Sequence, residues 1–197
     1  MDVQCSSCSK VITIPKEKVP DGPFSFVCPY CRDRVQVDPF LTDNGQGELS
    51  SVEPDAIHPG TKAALIFVAD EDWRRGARNF FAGKGYYCVL PETSAIARLK
   101  LKLQHHDVIL VQEGDDSEPL WEVIHAWRGL ERRQRNVIML GEGVDSLRSD
   151  QAFVRGVNAC LALRDGDRKE DLLASCLKEH ELLLLPWRLA REMESSD

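Results

Sequence analysis

Ala63-Ala64-Leu65-Ile66-Phe67-Val68-Ala69 is an unbroken apolar run that stops abruptly at Asp70-Glu71-Asp72. A short continuous run of this kind suits a strand covered on both faces, because both rows of alternating side chains then meet apolar neighbours. Working outward, the same signal recurs at 86–90, 107–111, 137–140 and 159–163. Between these runs lie segments with helical spacing. Trp73, Ala77, Phe80 and Phe81 share one face of a helix expected over 72–83. Ile96, Leu99 and Leu103 do so over 94–105, and Leu120, Val123, Ile124, Trp127 and Leu130 over a long helix at 118–133. A short helix is expected at 147–155. A last one runs over 168–180, with a possible extension to 185 before Pro186.

Five strands alternating with helices imply an α/β fold. The expected architecture is a doubly wound five-stranded parallel sheet of flavodoxin-like order 2-1-3-4-5. Any site should lie at the carboxyl ends of the strands. This domain should span 63–190, followed by a tail at 191–197. Upstream, 39–62 is polar, acidic and Gly-containing, with Pro54 and Pro59 and no periodicity, and reads as a flexible linker.

Residues 1–38 read as a separate small unit. Cys5-Ser6-Ser7-Cys8 and Cys28-Pro29-Tyr30-Cys31 are two Cys-x-x-Cys pairs. Each such turn supplies two thiolates, and a hairpin that brings the turns together completes a tetrahedral site for one structural Zn²⁺. Short strands are expected at 10–14, 24–27 and 34–37. A unit this small buries too little apolar surface to fold unaided, so the metal would supply the missing stability. Its charge is balanced. Lys10, Lys16, Lys18, Arg32 and Arg34 face Asp2, Glu17, Asp21, Asp33 and Asp38.

The chain has 197 residues, 43% of them hydrophobic, with a formal net charge of -7. The acidic balance argues against broad binding to nucleic acid, which rests on Lys and Arg contacts to phosphate. No run is apolar enough to cross a membrane, and Met1-Asp2-Val3-Gln4 does not open a secretory signal. Cys88, Cys160 and Cys176 are scattered through apolar segments and read as buried structural thiols of a reducing, cytoplasmic setting.

The N-terminal pattern resembles a family of short bacterial N-terminal zinc ribbons. It runs Cys5-x-x-Cys8, Val11 to Ile14, Pro15-Lys16-Glu17-Lys18-Val19-Pro20, then Cys28-Pro29-x-Cys31. The resemblance implies zinc and a modular role in protein contacts. Ser9 and Arg32 stand where that family has glycine after each knuckle.

The C-terminal pattern resembles the receiver domain of two-component response regulators. Phe67 to Asp72 matches the acidic cluster after the first strand, and Asp107-Val108-Ile109-Leu110-Val111-Gln112 matches the strand that ends in the phosphoacceptor. Val137 to Gly141 and Gly156 to Leu163 match the fourth and fifth strands. Phosphoryl transfer to an aspartate needs a carboxylate nucleophile, acidic metal ligands, a hydroxyl and a lysine. Here the nucleophile's place holds Gln112, the first acidic place Ala69, the hydroxyl's place Gly141 and the lysine's place Leu163. The resemblance therefore implies a pseudo-receiver that keeps the fold without the phosphoryl chemistry.

Other candidates have plainer accounts. Asp70, Glu71 and Asp72 could hold a divalent cation, but helix capping explains them. His58 reads as a solvated linker residue, and His105-His106 as cations at a helix C-terminus. Arg128, Arg132, Arg133 and Arg135 form a basic run beside Trp127, more simply a solvated face than a contact to RNA or an acidic partner. Leu182 to Leu185 with Pro186-Trp187 either packs on the sheet or forms a docking patch. The expectation is a non-enzymatic, zinc-binding adaptor in bacterial signalling, whose partners are proteins of a regulatory assembly rather than a small-molecule substrate or a membrane. The alternative is a transcription- or nucleic-acid-associated regulator that uses the ribbon.

Overall fold

The computed structural model describes residues 2–4, 8, 10–14, 24–37 and 54–194. The chain divides into two units, Met1–Val52 and Glu53–Asp197.

In the first unit, β1 (Asp2–Gln4) pairs antiparallel with β2 (Val11–Thr13), and β3 (Phe24–Val27) pairs antiparallel with β4 (Arg34–Val37). Cys28 and Val35 are buried, and Cys8, Ile12, Ile14 and Phe26 pack against them. β2, β3 and β4 fall where the β-rich segments predict them, and β1 is a strand the sequence reading did not expect.

The second unit is α/β. Its strands are β5 (Ala63–Phe67), β6 (Tyr87–Val89), β7 (Val108–Gln112), β8 (Asn136–Gly141) and β9 (Ala159–Ala162). They form one parallel sheet in the order β6-β5-β7-β8-β9. Counted within the unit, this is the expected 2-1-3-4-5. The flanking helices are α1 (Glu71–Gly83), α2 (Ser94–Leu103), α3 (Glu118–Ala126), α4 (Gly129–Arg133), α5 (Ser149–Val154) and α6 (Lys169–Glu194).

The period of two along each strand sorts the core into two layers. Ala64, Ile66, Val108, Leu110, Ile138, Leu140 and Leu161 point to the layer closed by Trp73, Ala77 and Phe81 of α1 and by Leu172, Leu173 and Cys176 of α6. Leu65, Ile109, Val111, Val137, Met139 and Cys160 point to the other layer, closed by Ala97 and Leu101 of α2, Leu120, Val123 and Ile124 of α3, and Ala152 of α5. Both faces are covered, which is why the strands read as continuous apolar runs.

Two helices depart from expectation. The helix expected over 118–133 is broken, because Trp127 and Arg128 take extended backbone (ψ 135° and 161°). The break turns α4 back toward the sheet. Arg132 then donates to the Gly156 carbonyl at 2.9 Å and to Asn158 Oδ1 at 2.7 Å, and Arg135 lies 4.2 Å from the centre of the Trp127 ring. The last helix does not stop at Pro186 but continues to Glu194. A proline removes one helical N–H and crowds the carbonyl four residues back. Here that residue is Leu182, which is exposed, so water can satisfy the freed oxygen.

Residues 39–53 of the expected linker lie outside the described residues. Within 54–62, Asp55 is tied to α2 and its C-cap. Its N–H donates to Gln104 Oε1 at 2.8 Å, and its carboxylate accepts from Lys100 Nζ at 2.6 Å and Gln104 Nε2 at 3.0 Å. His58 is exposed, in keeping with a solvated residue.

Candidate functional site

The cysteine cluster of the first unit is built by the β3–β4 hairpin. Cys28 directly follows β3 and is fully buried. Its N–H donates to the Asp33 carbonyl at 2.8 Å, and its own carbonyl accepts from Arg32 N at 2.9 Å. These bonds close the Cys28-Pro29-Tyr30-Cys31 turn. Arg32 completes it in the left-handed region at φ 62°, the place where the resembling ribbons carry glycine. A side chain with Cβ pays roughly 1 kcal/mol to sit there, so the turn is imposed by its surroundings rather than by local preference.

The Sγ atoms of Cys8, Cys28 and Cys31 all lie within 4.8 Å of one another. Cys8 Sγ and Cys28 Sγ are 3.7 Å apart. That is far longer than an S–S bond of about 2.05 Å. It matches the roughly 3.8 Å edge of a tetrahedron with Zn–S bonds of about 2.3 Å. Tyr30 N–H donates to Cys28 Sγ at 3.4 Å, the kind of outer contact that orients a thiolate ligand. Three of the four expected ligands thus converge with spacing that fits Zn²⁺. The fourth, Cys5, lies outside the described residues. Asp70, Glu71 and Asp72 do not form such a cluster.

In the α/β unit the expected site is the carboxyl end of the sheet. The strand order reverses direction between β5 and β7, the switch point at which open α/β sheets hold ligands. A cleft of about 500 Å³ lies there, lined by Phe67, Ala69, Arg74, Gln112, Glu113 and neighbouring residues.

Each position singled out for phosphoryl chemistry has another engagement. Gln112 Oε1 accepts from both Ala69 N and Asp70 N, each at 2.9 Å. Asp70 caps α1, with its Oδ1 accepting from Trp73 N at 2.8 Å. Glu71 pairs with Arg74 at 3.2 Å. Asp72 pairs with Arg75 at 3.2 Å and with Lys169, whose hydrogen bond is the chief reason its carboxyl titrates below the usual range. The stem of Lys169 crosses α1 at Gly76, where a Cβ would meet Lys169 Cδ. At the hydroxyl's place, a Cβ on Gly141 would lie 2.9 Å from Glu113 Oε2, so a carboxylate occupies the space a serine or threonine would need. At the lysine's place, the Leu163 carbonyl accepts from Trp73 Nε1 at 2.9 Å.

Half of the basic run is engaged internally. Arg132 is spent on backbone carbonyls and Asn158, Arg135 is buried against Trp127 and Glu131, and Arg133 lies over Trp187. Burial lowers the pKa of both Arg132 and Arg135. Of the four arginines, Arg128 and Arg133 are exposed. Leu182, Leu183, Leu185, Trp187 and Leu189 stand exposed on α6 and do not pack on the sheet.

The histidine expectation is corrected at His106. It is fully buried rather than a cation at a helix end, and burial pushes its pKa down to about 4, aided by the neighbouring His105. Its Nε2 lies 3.3 Å from Gln104 Nε2, and its Nδ1 has no partner among the described residues. The residues His106-Asp107-Val108 contain no sign of this, because the groups acting on His106 include Asp55, distant in sequence. Among the other thiols, Cys160 and Cys176 are fully buried and Cys88 partly so. Burial raises all three pKa values, that of Cys176 to about 12, which makes them poor nucleophiles.

No helix among the described residues is long and apolar enough to cross a membrane. No family model matches the chain, and no curated protein matches it. A solved structure described as yeast Spc42 trimeric coiled-coil amino acids 181-211 fused to another structure aligns with 71% of this chain and 95% of its own, at 17% identity and a TM-score of 0.47. A likeness at that level carries no argument about function.

Proposed function

We propose that the protein is a non-enzymatic, cytoplasmic adaptor of bacterial signalling. In this reading a zinc ribbon and a phosphorylation-incompetent receiver-like domain each engage proteins of a regulatory assembly. The observation that carries it is the clamp at Gln112. A phosphoacceptor must be an ionised carboxylate free to attack, whereas this side chain is a neutral amide whose oxygen already accepts two backbone N–H groups. Asp70 is the one acidic residue left at the metal-binding place, and it is engaged as a helix cap.

In the ribbon, Cys5, Cys8, Cys28 and Cys31 would hold one Zn²⁺ as thiolates in a closed site, which leaves the metal structural rather than catalytic. Support comes from the convergence of the three described thiols and the 3.7 Å Sγ–Sγ spacing. The internal use of Arg132 and Arg135 takes support away from a nucleic-acid-binding role for that face.

Two measurements test the proposal together. Metal analysis of the purified chain should give one zinc per protein. Incubation with acetyl phosphate and Mg²⁺ should give no acid-stable or base-labile phosphate adduct by intact mass. An adduct that disappears in Glu113→Gln would replace the adaptor with a phosphoswitch.

A further inference from the structure

The two most exposed large apolar side chains among the described residues are adjacent. Phe153 is 86% and Val154 82% exposed, at the end of α5. Burying such side chains is favourable in proportion to the apolar surface removed from water, and folding has left both in water. They line one wall of a cleft of about 560 Å³ between α5 and α3. Trp121 lies on the opposite wall. Its indole is held at both ends of its reach, donating to Ser117 Oγ at 3.1 Å and stacking on His125 at 6.0 Å. His125 in turn donates to the Arg155 carbonyl at 3.1 Å. The cleft thus offers a preset aromatic wall and an apolar lip, the combination that makes binding hot spots.

The charge around it is one-sided. Glu113, Glu118 and Glu122 line the cleft, and none makes an ion pair among the described residues. Glu118 and Glu122 are four residues apart on α3, a like-charge spacing that weakens a helix. Glu118 lies in the first turn, where the helix dipole favours a carboxylate, whereas Glu122 sits a turn further on without that support. Arg155 is the sole Lys or Arg in the lining.

We infer that the α3–α5 cleft is a docking site for a basic, apolar-anchored protein segment, in which a large apolar side chain sits against Phe153, Val154 and Trp121 while flanking Lys or Arg residues face Glu118 and Glu122. This deepens the adaptor reading and rests on it. The charge decides the class of occupant. An acidic segment would meet three unpaired carboxylates, and a nucleic acid would be repelled outright.

The test is a fluorescence-anisotropy titration of the full chain with a panel of labelled helical peptides. Each carries Leu, Phe or Trp anchors at i and i+4 flanked by lysines, and each has a control with glutamates in place of the lysines. At least one lysine peptide should bind ten-fold or more tightly than its control, and its affinity should fall as salt rises. Phe153→Ser, at an exposed position, should weaken it ten-fold without altering the melting temperature. Glu118→Lys combined with Glu122→Lys should transfer the preference to the glutamate peptide. Equal binding of a pair, no binding by any member, or binding indifferent to Phe153→Ser would overturn the assignment. So would sedimentation showing a dimer of this chain that Phe153→Ser dissociates, because the lip would then be a self-association surface. Failure here leaves intact the zinc stoichiometry and the lack of phosphorylation, so it is distinguishable from failure of the adaptor reading.

Discussion

The first unit buries Cys28 and Val35 beneath a few partly covered neighbours, whereas the second encloses a five-stranded sheet between two full apolar layers. The difference is one of scale. An apolar core stabilises in proportion to the surface it removes from water, while each ordered residue costs about 1–2 kcal/mol of backbone entropy. The sheet unit can meet that cost with Trp73, Phe81 and the buried rows of Val, Ile and Leu. Among the described residues of the first unit only Cys28 and Val35 are buried, and under the zinc proposal the metal would supply what that small core lacks. In the proposed reading, apolar side chains hold the second unit together and metal-bound sulfurs the first.

The largest test of this contrast is removal of the metal. Structural zinc contributes apparent free energies of about 10–16 kcal/mol in small ribbons. Cys28→Ser should therefore abolish zinc binding and unfold the ribbon, while amide NMR signals from the α/β unit stay in place. Simultaneous loss of both sets of signals would break the comparison. The converse experiment is Trp73→Ala. Trp73 is 1% exposed and also donates to Leu163. Its truncation should cost about 3–5 kcal/mol, read as a lower urea midpoint of the α/β transition with the zinc content unchanged.

A smaller effect separates the units by pH. His106 titrates at about 4 in the folded state against 6.5 for an ordinary histidine. Between those values the unfolded chain binds more protons, so stability is complete above pH 6.5 and declines as pH falls toward 4. The loss should amount to about 3 kcal/mol. Asp55, Lys100, His105 and Arg135 also act on this group, and desolvation outweighs them all. Denaturant melts across this range should show the decline for wild type and a much flatter profile for His106→Leu. The smallest effect belongs to Asp70→Ala, which removes the side-chain cap of α1. It should cost about 1 kcal/mol and leave the zinc site untouched, as chemical denaturation with metal analysis can show.

The strands, the parallel order and the covered faces of the α/β unit were legible in the chain, because fully buried strands must be apolar on both sides and helices between them must carry an apolar stripe. The convergence of Cys8, Cys28 and Cys31 agrees with the spacing expected of metal ligands, while Cys5 lies outside the described residues. What escaped were features that depend on a distant partner. The break at Trp127 places Arg132 against Gly156 and Asn158, and the buried His106 lies among the charges of Asp55, Lys100 and Arg135. Gln112 read as an absent nucleophile, whereas its part as a clamp on Ala69 and Asp70 came only with the fold. The exposure of Phe153 and Val154 was equally hidden, since an apolar pair in a short helix reads as core.

Sequence alone thus determined where the strands of the α/β unit lie, where most of its helices begin, and which residues lack the chemistry of phosphoryl transfer, because periodicity and functional groups are properties of the chain itself. Tertiary structure alone decided which side chains were used up in holding neighbours and which were left facing water, because hydrogen bonds, ion pairs and burial join residues that the chain keeps far apart.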